Sequence, residues 1–304
     1  MTASESNGET SSTASADGSA HSESYRHVSP VQHWRSWRRC LGWCVHFYTA
    51  LGLIAAAAIA VLLVDGRPES FRGAFLLMVA ATLIDATDGT LARLVRIKEV
   101  LPGFDGRRLD DLVDFLTYSF LPLLLLWRAR LLPDNCDVVL LVPLLASAYG
   151  FCQTSVKTDD GYFLGFPSYW NLVAFYLYTL QPLPGWFSVT SIIVFAILTF
   201  VPSRYLYPTQ RGRFNLITSL LGGVWSLLLV WILWNIPIEA MPDKPVMDDA
   251  TRRWSLVSLL FPAWYLAVSW IISVRLWRRK RRGLAARRSV AFSGEMTTAC
   301  EGQS

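Results

Sequence analysis

The sequence predicts an all-α fold: a polytopic integral membrane helical bundle of about eight transmembrane helices with both termini in the cytoplasm. Composition and charge carry this prediction. The chain of 304 residues is 53% hydrophobic and contains 13 Trp, and its apolar runs approach the ~20 residues that a spanning helix needs. Its basic residues are also unevenly divided between alternate loops, as the positive-inside rule requires.

Eight apolar segments are predicted to span the membrane. The fifth is short and bounded by Pro167 and Pro182, so we expect it to be tilted or broken. No internal repeat relates the segments to one another. In chain order they cover residues 41–64, 72–94, 107–130, 137–156, 166–181, 186–203, 214–235 and 254–276.

The distribution of basic residues tests this segmentation. With the N-terminus inside, 21 of the 28 Lys and Arg residues fall in cytoplasmic loops or tails and 7 fall in external loops. One missed or invented helix would reverse the asymmetry of every later loop. The count therefore predicts two cytoplasmic termini and places both ends of the acidic motif described below on the cytoplasmic side.

Polar tails flank the predicted membrane domain, which covers residues 31–277. Residues 1–30 are rich in Ser, Thr, Glu and Gly and cannot bury enough apolar surface to fold, so they are predicted to be disordered. Residues 278–304 are predicted to form a basic, disordered cytoplasmic tail. Its run Arg278 to Arg282 directly follows a membrane helix, which favours binding to anionic lipid over binding to nucleic acid.

The cysteines and one histidine have structural interpretations. The five cysteines support no disulfide framework, and Cys40 with Cys44 lacks two further ligands for zinc. His46 on the first helix is expected to be hydrogen-bonded between helices, with a substrate contact as the alternative.

Four carboxylates beside the apolar segments indicate a functional site. Asp85 and Asp88 share about a 100° arc of one helix, and Asp110 and Asp114 lie on one face of the next helix. Ionisable groups at membrane depth are costly unless they face a cavity, a metal or a partner. A divalent cation would relieve the mutual repulsion of these carboxylates, so they predict a site for Mg²⁺ or Mn²⁺.

Small residues and an arginine accompany the carboxylates. Gly89, Ala92 and Gly106 leave room for a ligand to approach the backbone. Arg93 offers a planar fork of donors that suits a phosphate. A metal site, a donor for phosphate and room for a ligand together indicate phosphoryl transfer.

These residues, in this order, resemble the signature of the CDP-alcohol phosphatidyltransferases. That pattern reads D-x-x-D-G-x-x-A-R, a variable gap, and then G-x-x-x-D-x-x-x-D, and every fixed position is matched. The gap of twelve residues before Gly106, with Gly165-Phe-Pro-Ser-Tyr-Trp-Asn171, is similar to the bacterial phosphatidylcholine synthases. The resemblance runs from about Trp43 to about Trp277.

The resemblance implies an activity and a role for each motif residue. Members transfer the phosphatidyl group from CDP-diacylglycerol to choline and release CMP, in the bacterial inner membrane with the active site facing the cytoplasm. Asp114 would take the proton, and members are often homodimers. The implied metal ligands are Asp85, Asp88, Asp110 and Asp114, and the implied CDP and phosphate contacts are Asp85, Asp88, Gly89, Ala92, Arg93 and Gly106.

The trimethylammonium group of choline is best held by aromatic faces. Tyr118 is the best placed by sequence, because it lies one turn beyond Asp114 on the same helix face. Tyr149, Tyr169 and Trp170 would need the later helices to fold back. An aromatic residue near a helix end is, however, more often an interfacial anchor.

Two alternatives remain open at the level of sequence. The acceptor could be serine, inositol phosphate or glycerol phosphate, and basic residues that would suit a phosphorylated acceptor lie on the predicted cytoplasmic side: Lys157, Arg204, Arg211 and Arg213. The helices could instead belong to a transporter with an intramembrane cation site. The missing repeat symmetry and the complete motif argue against the transporter.

Overall fold

A computed structural model of the protein describes residues 30–153, 162–201, 203–206, 213–241, 245–275 and 277–278. Both predicted tails fall outside these ranges, apart from the residues at their inner boundaries. The described chain is helical except for one two-stranded ribbon. The predicted all-α class is therefore confirmed, while the number of spans and the side of the termini stay predictions.

The first half of the described chain forms three long helical segments. A short helix, α3, connects the second to the third, and the third changes from α to π geometry and back without a break. The segments are α1 (Pro30–Asp65), α2 (Pro68–Val95) with α3 (Ile97–Val100), and then α4 (Gly106–Asp114), a π-helical turn (Phe115–Phe120) and α5 (Leu121–Arg128).

Shorter elements make up the second half. After Leu259 the helix resumes, so the apolar segment that begins with α10 extends to Arg275. The elements are a 3-10 turn (Asp137–Leu140), α6 (Leu141–Cys152), β1 (Tyr162–Leu164), α7 (Trp170–Thr179), α8 (Gly185–Phe200), β2 (Arg204–Leu206), α9 (Arg213–Asn235), a 3-10 turn (Ile238–Ala240) and α10 (Asp249–Ser258).

Local sequence explains where several helices begin and end. Pro68 opens α2, where its missing N–H costs nothing. The side chain of Asp105 accepts hydrogen bonds from the backbone N–H groups of Arg107 and Arg108 and so caps α4. Asp248 caps α10 in the same way. The Asp105 cap thus fixes the start of the helix that carries Asp110.

Within the described residues, three helices are long and apolar enough to cross a membrane: Ser36–Asp65, Pro68–Val95 and Asp249–Arg275. Shorter apolar helices cover Asp137–Cys152, Gly185–Phe200 and Leu220–Asn235. Each of the eight predicted spans contains a described helix. Large apolar side chains are exposed on the outer faces, among them Val64 (82%) and Leu145 (70%), as lipid contact requires.

The fifth predicted span is a short, buried helix. Helix α7 has ten residues, which at about 1.5 Å per residue is only half of a membrane thickness. Its Trp170, Ala174 and Tyr178 are 0% exposed, and Tyr178 stacks on Phe71 with the ring centroids 5.7 Å apart. A helix that is apolar on all sides is stable only when surrounded, so α7 forms the centre of the bundle.

The chain directions bring the acidic segments to one end. Gly66, at φ +66°, lets the chain reverse between α1 and α2. The third segment runs parallel to α1, because Gly52 faces Val113 near one end while Gly66 faces Arg128 at the other. Since α2 is antiparallel to both, its C-terminal half lies level with the start of α4.

The two-stranded ribbon lies beyond α6 and α8. Strands β1 and β2 pair antiparallel, with Tyr162 opposite Leu206. The helices that precede them end side by side, where the rings of Tyr149 and Phe200 lie 4.9 Å apart. Phe151 also contacts Phe115 at 5.9 Å, so the ribbon is at the same end of the bundle as the acidic motif.

Candidate active site

The acidic motif lies where α1, α2 and α4 meet. Two hydroxyl contacts join α1 to α2 at this level: Tyr48 to Thr87 at 2.8 Å and Thr49 to Asp88 at 2.8 Å. Helix α4 approaches α1 closely because Gly52 has no side chain, and a Cβ there would meet the Val113 side chain. Close packing of three helices therefore positions the carboxylates.

Three of the four predicted carboxylates come together. Asp85, Asp88 and Asp110 each offer one oxygen, and these oxygens lie within 4.8 Å of one another. Asp88 is buried, and the other two are half-buried. The expectation that the acidic faces of two helices meet is thereby confirmed.

Asp114 lies one turn further along α4 and is half-buried. It is close enough to Asp85 and Asp110 to interact with their charges, although it is outside the group of three. Its place beside the cluster suits a proton acceptor as well as a ligand.

The donor set fits a hard divalent cation. Three carboxylates with no cysteine or histidine among them are the ligands that Mg²⁺ and Mn²⁺ prefer. Ligand oxygens at about 2.1 Å from Mg²⁺ are roughly 3 to 4 Å apart, so the cluster needs only a small contraction to hold one ion.

Hydroxyl groups from outside α2 bind two of these carboxylates. Thr49 Oγ1 donates to Asp88 Oδ2 at 2.8 Å, and the Tyr118 hydroxyl donates to Asp85 Oδ2 at 2.8 Å. Thr49 was not identified as a site residue in the sequence analysis. The available signal was a lone threonine inside the apolar span 41–64, on the helix face that also carries Gly52.

Arg93 folds back along α2 towards the carboxylates. Its Nη2 donates to Thr90 Oγ1 at 3.0 Å, and its Nη1 lies 3.4 Å from where a Cβ on Gly89 would be. The guanidinium thus lies over Gly89 and remains exposed to solvent. Ala92 is half-buried on the same helix.

A histidine ring occupies the space next to Gly106. A Cβ on Gly106 would meet the imidazole of His46. That ring is 5% exposed, packs on Phe104 at 4.3 Å between centroids, and has no hydrogen-bond partner at Nε2 among the described residues. The expected hydrogen bond between helices is therefore not found at Nε2.

The π-helical turn directly follows Asp114 and carries Tyr118. Such turns often occur at functional sites, and the helical spacing of the sequence does not predict this one. Tyr118 is 8% exposed, and its ring lies 6.0 Å from the ring of Tyr169, at the start of α7.

The other two aromatic candidates lie elsewhere. The Trp170 indole is fully buried and donates to Ser147 Oγ at 2.8 Å, and Tyr149 packs on Phe200. Of the later aromatics, Tyr169 is thus the one whose ring contact with Tyr118 is observed. Among the basic residues that would suit a phosphorylated acceptor, Lys157 and Arg211 lie outside the described residues, and Arg204 and Arg213 are described by their backbone.

Several curated proteins are similar to this chain, although no family model matches it. It is 33% identical over 240 residues to the phosphatidylcholine synthase of Pseudomonas aeruginosa, covering 79% of this chain and 92% of the relative. It is 33% identical over 243 residues to that of Legionella pneumophila, covering 75% and 86%.

The chain belongs to the phosphatidylcholine synthase family. A third relative of that name, from Bradyrhizobium diazoefficiens, is 36% identical over 197 residues, which is 64% of this chain and 72% of the relative. The resemblance drawn from the acidic motif is thereby confirmed. As a member of this family with several long apolar helices, the protein is a membrane protein.

Proposed function

We propose that this protein transfers the phosphatidyl group from CDP-diacylglycerol to choline, giving phosphatidylcholine and CMP. The observation that carries the proposal is the convergence of Asp85, Asp88 and Asp110 within 4.8 Å at one end of the bundle. Family membership supports the same reaction. A transporter reading has no comparable support.

Asp85, Asp88 and Asp110 would hold Mg²⁺ or Mn²⁺, with Asp114 able to join them. The cation would bind the diphosphate and neutralise the charge that develops on it. Arg93 would bind a phosphate oxygen through its planar fork of donors. Gly89, Ala92 and Gly106 would leave space for the CDP portion of the substrate.

The reaction is a displacement at phosphorus. The choline oxygen forms a bond to the phosphorus that carries diacylglycerol, and the bond from that phosphorus to the bridging oxygen breaks, so that CMP leaves. Asp114 would accept the choline hydroxyl proton as attack proceeds, because a carboxylate is too weak a base to remove it beforehand. Its position one turn from Asp110 supports this role.

The choline group would lie against Tyr118 and Tyr169. Their rings are 6.0 Å apart beside Asp85, and a quaternary ammonium is attracted both to ring faces and to a nearby carboxylate. Ethanolamine and serine prefer hydrogen-bond acceptors that ring faces do not supply. The aromatic pair therefore favours choline over the other acceptors.

The active site would face the cytoplasm from the bacterial inner membrane. The charge asymmetry supports this orientation, because the motif end of the bundle carries the basic loops. Lipid would surround the exposed apolar faces, and a homodimer is the expected assembly by likeness to the wider family. Reporters fused after Met1 and at Ser304 should both report the cytoplasm.

An assay with purified membranes tests the function. CDP-diacylglycerol is supplied with labelled choline, serine, ethanolamine, glycerol phosphate or inositol phosphate, and the lipid product is identified. Choline should give the product, EDTA should stop its formation, and Mg²⁺ or Mn²⁺ should restore it. Preference for serine or a phosphorylated alcohol would overturn the acceptor, and indifference to chelation would overturn the metal.

A further inference from the structure

Two hydroxyl groups from different helical segments bind the two carboxylates of the D-x-x-D segment. Thr49 reaches Asp88 from α1, and Tyr118 reaches Asp85 from the π-helical turn, both at 2.8 Å. Thr49, Asp88 and Tyr118 are each at most 8% exposed. The Thr49–Asp88 bond is therefore shielded from water at both ends and the Tyr118–Asp85 bond at its donor end, and hydrogen bonds at low local dielectric are stronger than those in water.

The Thr49 hydroxyl has a clear choice of acceptor. Threonine within a helix often bonds back to the carbonyl four residues earlier, and here that carbonyl, Val45 O, is 3.4 Å away. Asp88 Oδ2 is much closer, at 2.8 Å, and carries charge. The single hydroxyl proton therefore points to the carboxylate, because charge-assisted hydrogen bonds are the shorter and stronger ones.

We propose that Thr49 and Tyr118 are positioning residues that fix Asp88 and Asp85 as metal ligands. Each hydroxyl occupies one oxygen of its carboxylate and so orients the other oxygen towards the cation. A hydroxyl group orients the carboxylate and leaves its negative charge in place. An arginine partner would reduce that charge. The proposal rests on the proposed function for the presence of a divalent cation, but it concerns binding of that cation rather than transfer.

A neighbouring contact gives a matched control. Tyr48 and Thr87 also join α1 to α2 through hydroxyl groups at 2.8 Å, one residue away from Thr49 and Asp88. No carboxylate takes part in that bond. Tyr48→Phe therefore removes an interhelical hydrogen bond at the same level without touching a proposed ligand.

The experiment measures Mn²⁺ binding to the full-length protein in detergent, by electron paramagnetic resonance and without substrates. Thr49→Val keeps the shape of the side chain and removes the hydroxyl, whereas Thr49→Ser keeps the hydroxyl. We expect Thr49→Val and Tyr118→Phe each to raise the Mn²⁺ dissociation constant by about 10 to 100-fold. Thr49→Ser and Tyr48→Phe should bind Mn²⁺ like the wild type.

Melting temperatures of the metal-free proteins separate positioning from mere support. The proposal is overturned if Thr49→Val and Tyr118→Phe bind Mn²⁺ as tightly as the wild type and only their melting temperatures fall. It is also overturned if the wild-type protein shows no saturable Mn²⁺ binding. If Thr49→Val does not fold, Tyr118→Phe still decides. If the wild-type protein does not use choline, but Thr49→Val and Tyr118→Phe still bind Mn²⁺ more weakly than the wild type, the proposed acceptor is rejected and the positioning roles stand.

Discussion

The aspartates at the two ends of the helices α1 and α2 accept hydrogen bonds from different kinds of donor. At the end where α1 turns into α2, Asp65 Oδ2 accepts hydrogen bonds from Arg67 Nε at 2.8 Å and from the Ser70 hydroxyl. At the other end, Asp88 accepts from the neutral hydroxyl of Thr49. The first carboxylate is paired with a cation of the protein, whereas the second is oriented with its charge retained.

This difference separates structural from functional carboxylates. Pairing with arginine neutralises Asp65 and fixes the turn, which Arg128 completes by lying next to Gly66 and over the Phe71 ring at 5.9 Å. Hydroxyl donors fix only the direction of a carboxylate. Three carboxylates oriented towards one another lower the energy of a bound cation, so the two ends should respond differently to the same substitution.

The largest effect is expected for Asp110→Asn. A neutral amide loses the charge that balances the cation, so phosphatidyl transfer should fall by about 10³-fold or more. The measurement is the initial rate at saturating Mg²⁺ or Mn²⁺, together with the melting temperature. A rate near that of the wild type would show that Asp110 is not a metal ligand. It would also contradict the distinction between the two ends of the helices.

Two substitutions at Tyr118 distinguish the contribution of its ring from that of its hydroxyl group. Tyr118→Leu removes both, and Tyr118→Phe removes the hydroxyl only. Relative to Tyr118→Phe, Tyr118→Leu should raise the choline KM by roughly 10-fold, because a cation–π contact contributes about 1 to 2 kcal/mol. The KM for CDP-diacylglycerol should differ much less.

Tyr149→Leu is the control for that pair, since Tyr149 contacts Phe200 and not Tyr118. It should leave the choline KM unchanged. Equal rises in both substrate KM values for Tyr118→Leu would make the tyrosine a packing residue of the acidic end.

A smaller effect is expected when the space around Gly106 is filled. Gly106→Ala places a methyl group against the His46 imidazole, so kcat/KM for CDP-diacylglycerol should fall by about 10-fold, the loss caused by roughly 1.4 kcal/mol of strain. In a His46→Ala background the methyl group has room. If Gly106 serves only to accommodate the ring, adding Gly106→Ala to His46→Ala should cost nothing further.

A loss in the double variant as large as in Gly106→Ala alone would indicate that the substrate itself needs the space. The two outcomes distinguish packing within the acidic end from contact with CDP.

The smallest effect belongs to Asp65→Asn at the opposite end. The ion pair with Arg67 is exposed to solvent, with 35% of the Asp65 side chain accessible, so its loss should lower the free energy of unfolding only slightly. Transfer activity per folded molecule and Mn²⁺ affinity should not change. A loss of Mn²⁺ binding here would mean that the two ends are coupled.

Much of the acidic end was predictable from sequence because helices have a fixed period. Asp85 and Asp88 are three residues apart and share a face of α2, and Asp110 and Asp114 are four residues apart and share a face of α4, so a meeting of two acidic faces could be predicted. The short fifth span was also predictable, because Pro167 and Pro182 bound it. Hydrophobic length and loop charge sufficed for the membrane class.

The sequence alone determined the class of fold, the membrane environment and the carboxylates that could hold a cation, because these depend on local periodicity and composition. The tertiary structure decided which residues support them. Thr49 comes to Asp88 across 39 positions and Tyr118 to Asp85 across 33, while Tyr169 meets Tyr118 through packing of α7. Contacts between distant segments depend on how side chains fill the space between helices, and no local pattern encodes that packing.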